Sequence, residues 1–76
     1  MREGKVIEFD GFVGDIESNG EKYMFLIDDV ETDIQLNDFV SFRGEEVHGV
    51  KKAFFVKNVN KSMKFVKDEY NERWDN

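Results

Sequence analysis

Val6-Ile7-Glu8-Phe9-Asp10-Gly11-Phe12-Val13-Gly14-Asp15-Ile16 holds two short runs of sheet-forming residues divided by an Asp-Gly pair. Val6 to Phe9 and Phe12 to Ile16 read as strands, because β-branched and aromatic side chains suit a pleated, half-buried surface. Asp10-Gly11 between them fits the left-handed torsions of a tight two-residue hairpin. The device recurs downstream, where Ser18-Asn19-Gly20 precedes Tyr23-Met24-Phe25-Leu26-Ile27 and a third strand continues the meander. This third run is apolar at every position. It predicts a central strand with both faces covered, by barrel curvature or by another element.

Asp28 to Asp33 is acidic and poor in sheet formers, so it reads as a connection with room for one helical turn, leading into Ile34 and a new sheet edge. Phe39-Val40-Ser41-Phe42 is the expected fourth strand, Arg43 to Lys52 with its two glycines the next loop, and Ala53 to Val59 the fifth strand. Short strands at this spacing predict an all-β fold, a five-stranded antiparallel barrel over residues 1–60; an α/β fold would need a dozen residues for each crossover. From Ser62 the period changes. Ser62 is a candidate helix cap, and Val66, Tyr70 and Trp74 recur every four residues, so residues 61–76 are expected to form a short amphipathic helix. At that length it docks on the barrel, packs on a partner or a second copy, or frays.

The chain has 76 residues, enough for one domain, and eight phenylalanines supply the bulk of a small core. With no cysteine there is neither a disulfide framework nor a thiolate metal site. No apolar run suits a signal peptide or membrane span, which points to the cytoplasm and away from a membrane. His48 is the only histidine and has no nucleophile motif beside it, so it reads as a solvated loop residue. The carboxylates Asp28, Asp29, Glu31 and Asp33 lack the glycine and terminal glutamate of a calcium loop and read as a solvated rim. Neither an enzymatic activity nor a cofactor is expected.

The net charge of -6 argues against tight phosphate binding, but the charge is unevenly spread. Residues 1–46 carry thirteen acids and four bases, whereas residues 47–67 carry six lysines and no acid. Those lysines alternate with rings: Lys51, Lys52, Phe54, Phe55, Lys57, Lys61, Lys64, Phe65 and Lys67. Positive charge for the backbone and rings for the bases are what single-stranded nucleic-acid binders combine. The competing reading is that the lysines protect an edge strand or offset the acidic half. Because Phe54 and Phe55 are adjacent, strand alternation sends one of them inward.

Residues 3–59 resemble a cold-shock domain. Glu3-Gly4-Lys5-Val6-Ile7-Glu8-Phe9-Asp10 follows that family's opening Glu-Gly-Lys-Val-x-Trp-Phe-Asn, with Glu8 in place of the tryptophan. Its first nucleic-acid motif, Gly-Phe-Gly-Phe-Ile, falls on Phe12-Val13-Gly14-Asp15-Ile16, which keeps Gly14 and Ile16 and replaces both phenylalanines. Its second, Val-Phe-Val-His-Phe, falls on Met24-Phe25-Leu26-Ile27-Asp28 and keeps Phe25 alone of its rings. Further matches lie at Ile34, Asn37, Val40-Ser41-Phe42, Ala53 and Asn58-Val59, while the closing Gly-Pro is missing. The resemblance implies a five-stranded OB barrel and single-stranded RNA or DNA as partner. Each lost stacking platform removes roughly 1–3 kcal/mol, and Glu8 and Asp15 oppose phosphate, so the implied binding is weak or atypical. Its expected contacts are Lys5, Phe25, Lys51, Lys52, Phe54, Lys57 and Lys61. The alternative is a protein-interaction adaptor that uses the acidic face and the Val66, Tyr70, Trp74 stripe.

Overall fold

The computed structural model describes residues 1–59. Five strands, β1 (Arg2–Phe9), β2 (Val13–Ser18), β3 (Glu21–Leu26), β4 (Phe39–Val47) and β5 (Val50–Asn58), close into a barrel in the order β1-β2-β3-β5-β4. Four neighbouring pairs are antiparallel, and the fifth corrects the expectation: β3 and β5 run parallel, with Met24 opposite Lys52. The cause is the connection after β3. It opens with a 3-10 turn at Ile27–Asp29 and crosses the barrel end, where Asn37 N–H donates to Val6 C=O and Val6 N–H to Asp38 C=O, both near 2.9 Å. The chain therefore descends as β4 beside β1 and returns as β5 beside β3, in the direction of β3. Glu31 N–H donating to Val56 C=O (2.8 Å) ties the same connection to β5.

Each strand contributes to one core: Val6, Ile16, Tyr23 and Phe25, Val40 and Phe42, Ala53 and Val56, with Ile34 of the connection. Gly14 makes room for the largest of these. A Cβ there would lie 2.6 Å from the Phe25 ring and against the Glu8 carbonyl, so only glycine lets β2 pass over that ring. Phe9 packs on the same ring at 5.4 Å between centroids, a tilted geometry that aromatic quadrupoles favour.

The Asn19-Gly20 turn has positive φ at both residues, as the right-handed twist of its strands requires. The first turn is also tight but is displaced by one residue. Asp10 N–H donates to Val13 C=O (3.2 Å), so its central pair is Gly11-Phe12, while the Asp10 carboxylate accepts the Phe12 and Val13 N–H groups at 2.9 Å each. Those two bonds hold the Asp10 carboxyl below the usual carboxylate range.

Three further expectations are corrected. Arg43 to Lys52 is not a loop: β4 and β5 run on to a two-residue turn, His48-Gly49, with φ of 53° and 81°. Cross-strand charge explains the extension, since Glu46 faces Lys51 and Glu45 faces Lys52. Neither Phe54 nor Phe55 enters the core. The register slips between Ser41 and Arg43, a bulge that puts Phe55 at φ 55° and exposed while Ala53 and Val56 point inward. Finally, only the inner side of β3 is buried among the described residues; Leu26 and Ile27 are 42% and 40% exposed. Lys61, the Val66, Tyr70, Trp74 stripe and the expected helix lie outside the described residues.

Candidate functional site

Two outer faces of the barrel carry side chains that the fold itself does not need. The first is formed by β1, β2 and β3. Register sets which residues point outward: Glu8 faces Asp15, Asp15 faces Met24 and Val13 faces Leu26, whereas Gly14 opposite Phe25 and Ile16 opposite Tyr23 line the interior. Phe25, expected as a surface ring, is therefore a core residue at 1% exposure. The outward positions beside it hold Met24 and Leu26. A depression of about 540 Å³ opens here, lined by Ile7, Phe9, Val13, Met24 and Leu36 together with the carboxylates Glu8, Asp10 and Asp15. The surface is aliphatic and anionic, with Phe12 at the adjoining turn its most exposed ring. The ring of Phe9, half-buried, is packed on Phe25 and the core, and Glu8 and Asp15 stand where phosphate would be repelled.

The second face is the outer side of β1, β4 and β5. Lys5 sits directly opposite Phe39, Glu3 opposite Ser41, Ser41 opposite Lys57, and Arg43 opposite Phe54. Phe39 and Phe55 are 53% and 49% exposed, and Phe54 is half-buried. From Phe39 to Arg43, beside the bulge, is four residues of strand or roughly 13 Å. Three cations and three rings thus share one sheet surface. Phe55 adds a further observation: a bulky residue with positive φ is a backbone outlier, and such strain, of order 1–3 kcal/mol, concentrates at binding and catalytic sites.

The expected lysines do not converge. Lys5 and Lys57 lie on this second face; Lys51 and Lys52 belong to the far end of the β4–β5 hairpin. Carboxylates attend three of the cations. Lys51 lies 3.7 Å from Glu46, Lys57 3.5 Å from Glu31 and Arg43 2.7 Å from Glu45, all solvated pairs of small energetic weight. Phe39 and Arg43 were not singled out from the sequence, although the two-residue spacing of buried Val40 and Phe42 implies that Phe39 points outward. The hairpin also has a legible signature, since Glu45-Glu46-Val47 and Val50-Lys51-Lys52 mirror each other in charge and apolarity about His48-Gly49.

Among the described residues no group of histidines and carboxylates is placed to hold a metal ion, and no helix is long and apolar enough to cross a membrane. No family model and no curated protein matches the sequence. Among solved structures, the chain is similar to one described as "drosophila Unr CSD456", with a TM-score of 0.66 and 17% sequence identity over 76% of this chain. This chain spans about a quarter of that one, 26% of its length. At that identity the likeness speaks for architecture alone: the protein has a divergent, cold-shock-like OB barrel fold.

Proposed function

We propose that the barrel is a weak, sequence-tolerant binder of single-stranded nucleic acid, and that it binds through the outer side of β1, β4 and β5. The observation that carries this reading is the alternation of exposed rings and cations there, Phe39 beside Lys5 and Phe55 near Arg43 and Lys57. Rings accept any base by its π-face, and ammonium and guanidinium groups follow the phosphates, so such a surface favours single strands without reading sequence. Glu31 and Glu45 compete for two of the cations, which keeps the affinity low and strongly salt-dependent. Non-enzymatic binding fits a chain whose lone histidine, at the β4–β5 turn, lies at the other end of the barrel from the Glu8, Asp10 and Asp15 carboxylates of the depression.

The test is a titration of the full chain into a fluorescently labelled single-stranded oligonucleotide of mixed sequence at low salt, read by anisotropy. Saturable binding is expected, weakened by Phe39→Ala together with Phe55→Asn and flattened in salt dependence by Lys5→Gln with Lys57→Gln. Binding that those variants leave untouched, or that fails to saturate below about millimolar protein, removes the proposal.

A second reading, a protein-interaction module, is favoured by the exposed aliphatic surface of β1, β2 and β3. Patches of that kind on a small domain are commonly covered by another segment.

A further inference from the structure

The outer face of β1, β2 and β3 breaks two local rules. Leu26, Ile27 and Leu36 (53% exposed) stand in solvent around a depression lined by Val13 and Met24. Glu8 and Asp15 are direct cross-strand partners, a like-charge pairing that costs stability unless a cation lies over it. An occupant that relieves both must carry apolar side chains between positive charges. Residues 61–67, Lys-Ser-Met-Lys-Phe-Val-Lys, have that composition, with lysines at 61, 64 and 67 around Met63, Phe65 and Val66.

Topology brings the two within reach. β1 and β3 end, and β2 and β4 begin, at the same end of the barrel as the end of β5, because β3 and β5 are parallel and the other pairs antiparallel. Asn58, the last residue of β5, donates from Nδ2 to Asp38 Oδ2 at 2.7 Å, and its backbone N–H donates to Thr32 Oγ1 at 2.8 Å. Leu36, two residues before Asp38, lines the depression. The chain is thus anchored at the edge of the aliphatic face three residues before Lys61, and each further residue spans up to about 3.5 Å. Tethering at this distance makes the encounter intramolecular, which raises the effective concentration of the segment to roughly the millimolar range without any new contact.

We propose that residues 61–67 dock on the β1–β2–β3 face of their own barrel, with Met63, Phe65 and Val66 over Val13, Met24 and Leu36 and with lysines beside Glu8 and Asp15. The segment then completes the second apolar side of β3 and withdraws three lysines from nucleic acid. The docking concerns the β1–β2–β3 side of the barrel and the nucleic-acid reading its β4–β5 side, so either can fail without the other.

The absence of cysteine gives a clean test in the full chain without nucleic acid. A nitroxide on Asp68→Cys, just beyond the segment, should reduce amide NMR intensities most at Val13, Asp15, Met24 and Leu36, and least at Val47 to Val50. The pattern should fade with added salt and disappear in the Lys61→Gln, Lys64→Gln, Lys67→Gln triple variant. Glu8→Gln with Asp15→Asn should weaken it from the other side. Intensity loss centred elsewhere, or equal over the barrel, overturns the proposal. So does the same pattern in isotope-labelled, cysteine-free chain mixed with unlabelled nitroxide-bearing chain, since the occupant would then be a second copy.

Discussion

The two outer faces share β1 and little else. On the β2–β3 side the outward side chains are Val13, Asp15, Met24 and Leu26, aliphatic and acidic. On the β4–β5 side they include Phe39, Arg43, Phe55 and Lys57, aromatic and basic. Both faces stand on the same core, so packing does not account for the contrast. In a small barrel the inward residues are set by volume, and the outward residues are free to carry different ligand chemistry on each side. On this barrel the exposed strand rings, Phe39 and Phe55, lie on the β4–β5 side, and the side where the cold-shock resemblance expects rings is aliphatic and acidic.

Two phenylalanines give the sharpest test of that contrast. Phe25 is a filler of the core and Phe55 a surface ring, so Phe25→Ala should cost about 3–5 kcal/mol of folding stability, measured by denaturant titration. A cost near zero would mean that Phe25 is a surface platform after all and would break the distinction between the faces. Phe55→Asn should act in the opposite direction. Asparagine accepts the left-handed conformation, so relief of backbone strain should raise stability by roughly 1 kcal/mol. The same change should lower oligonucleotide affinity by about 5- to 150-fold, the equivalent of 1–3 kcal/mol for one stacked base. Gain of stability with loss of binding is the signature of a ring kept for a ligand.

Smaller effects sharpen the electrostatic half of the comparison. Lys57→Gln should flatten the logarithmic salt dependence of binding by about 0.7, one released counterion on a single strand, whereas Lys51→Gln, at the far hairpin end and away from the rings, should leave it unchanged. Equal slopes for the two variants would show that the lysines act as a diffuse field. The smallest effect concerns the first turn. Asp10 has a depressed carboxyl pKa because it accepts two backbone N–H groups, so its contribution to stability is present above the ordinary carboxylate range and is lost as pH falls through the folded-state value. Asp10→Asn should therefore flatten the acid limb of a stability-versus-pH curve by lowering stability slightly at pH 7 and leaving the acid end unchanged.

Local chemistry by itself was enough for the meander, the Asn19-Gly20 turn, the crossing after β3 and the small-barrel class. Turn residues and alternation act over a few positions and can be read along the chain. The charge division between the two halves was equally legible. Other features depend on partners distant in sequence. The parallel pairing of β3 with β5 follows from which edge the connection reaches, and the length of the β4–β5 hairpin from glutamates meeting lysines across a turn. The bulge at Phe55 reverses the expected alternation because one extra residue flips every side chain beyond it. Register made the same decision for Phe25, turned inward beneath Gly14, while Met24 and Leu26 took the surface. Composition thus determined which residues this barrel has available, and strand register, a property of pairs of strands, decided which of them reach its outer surface.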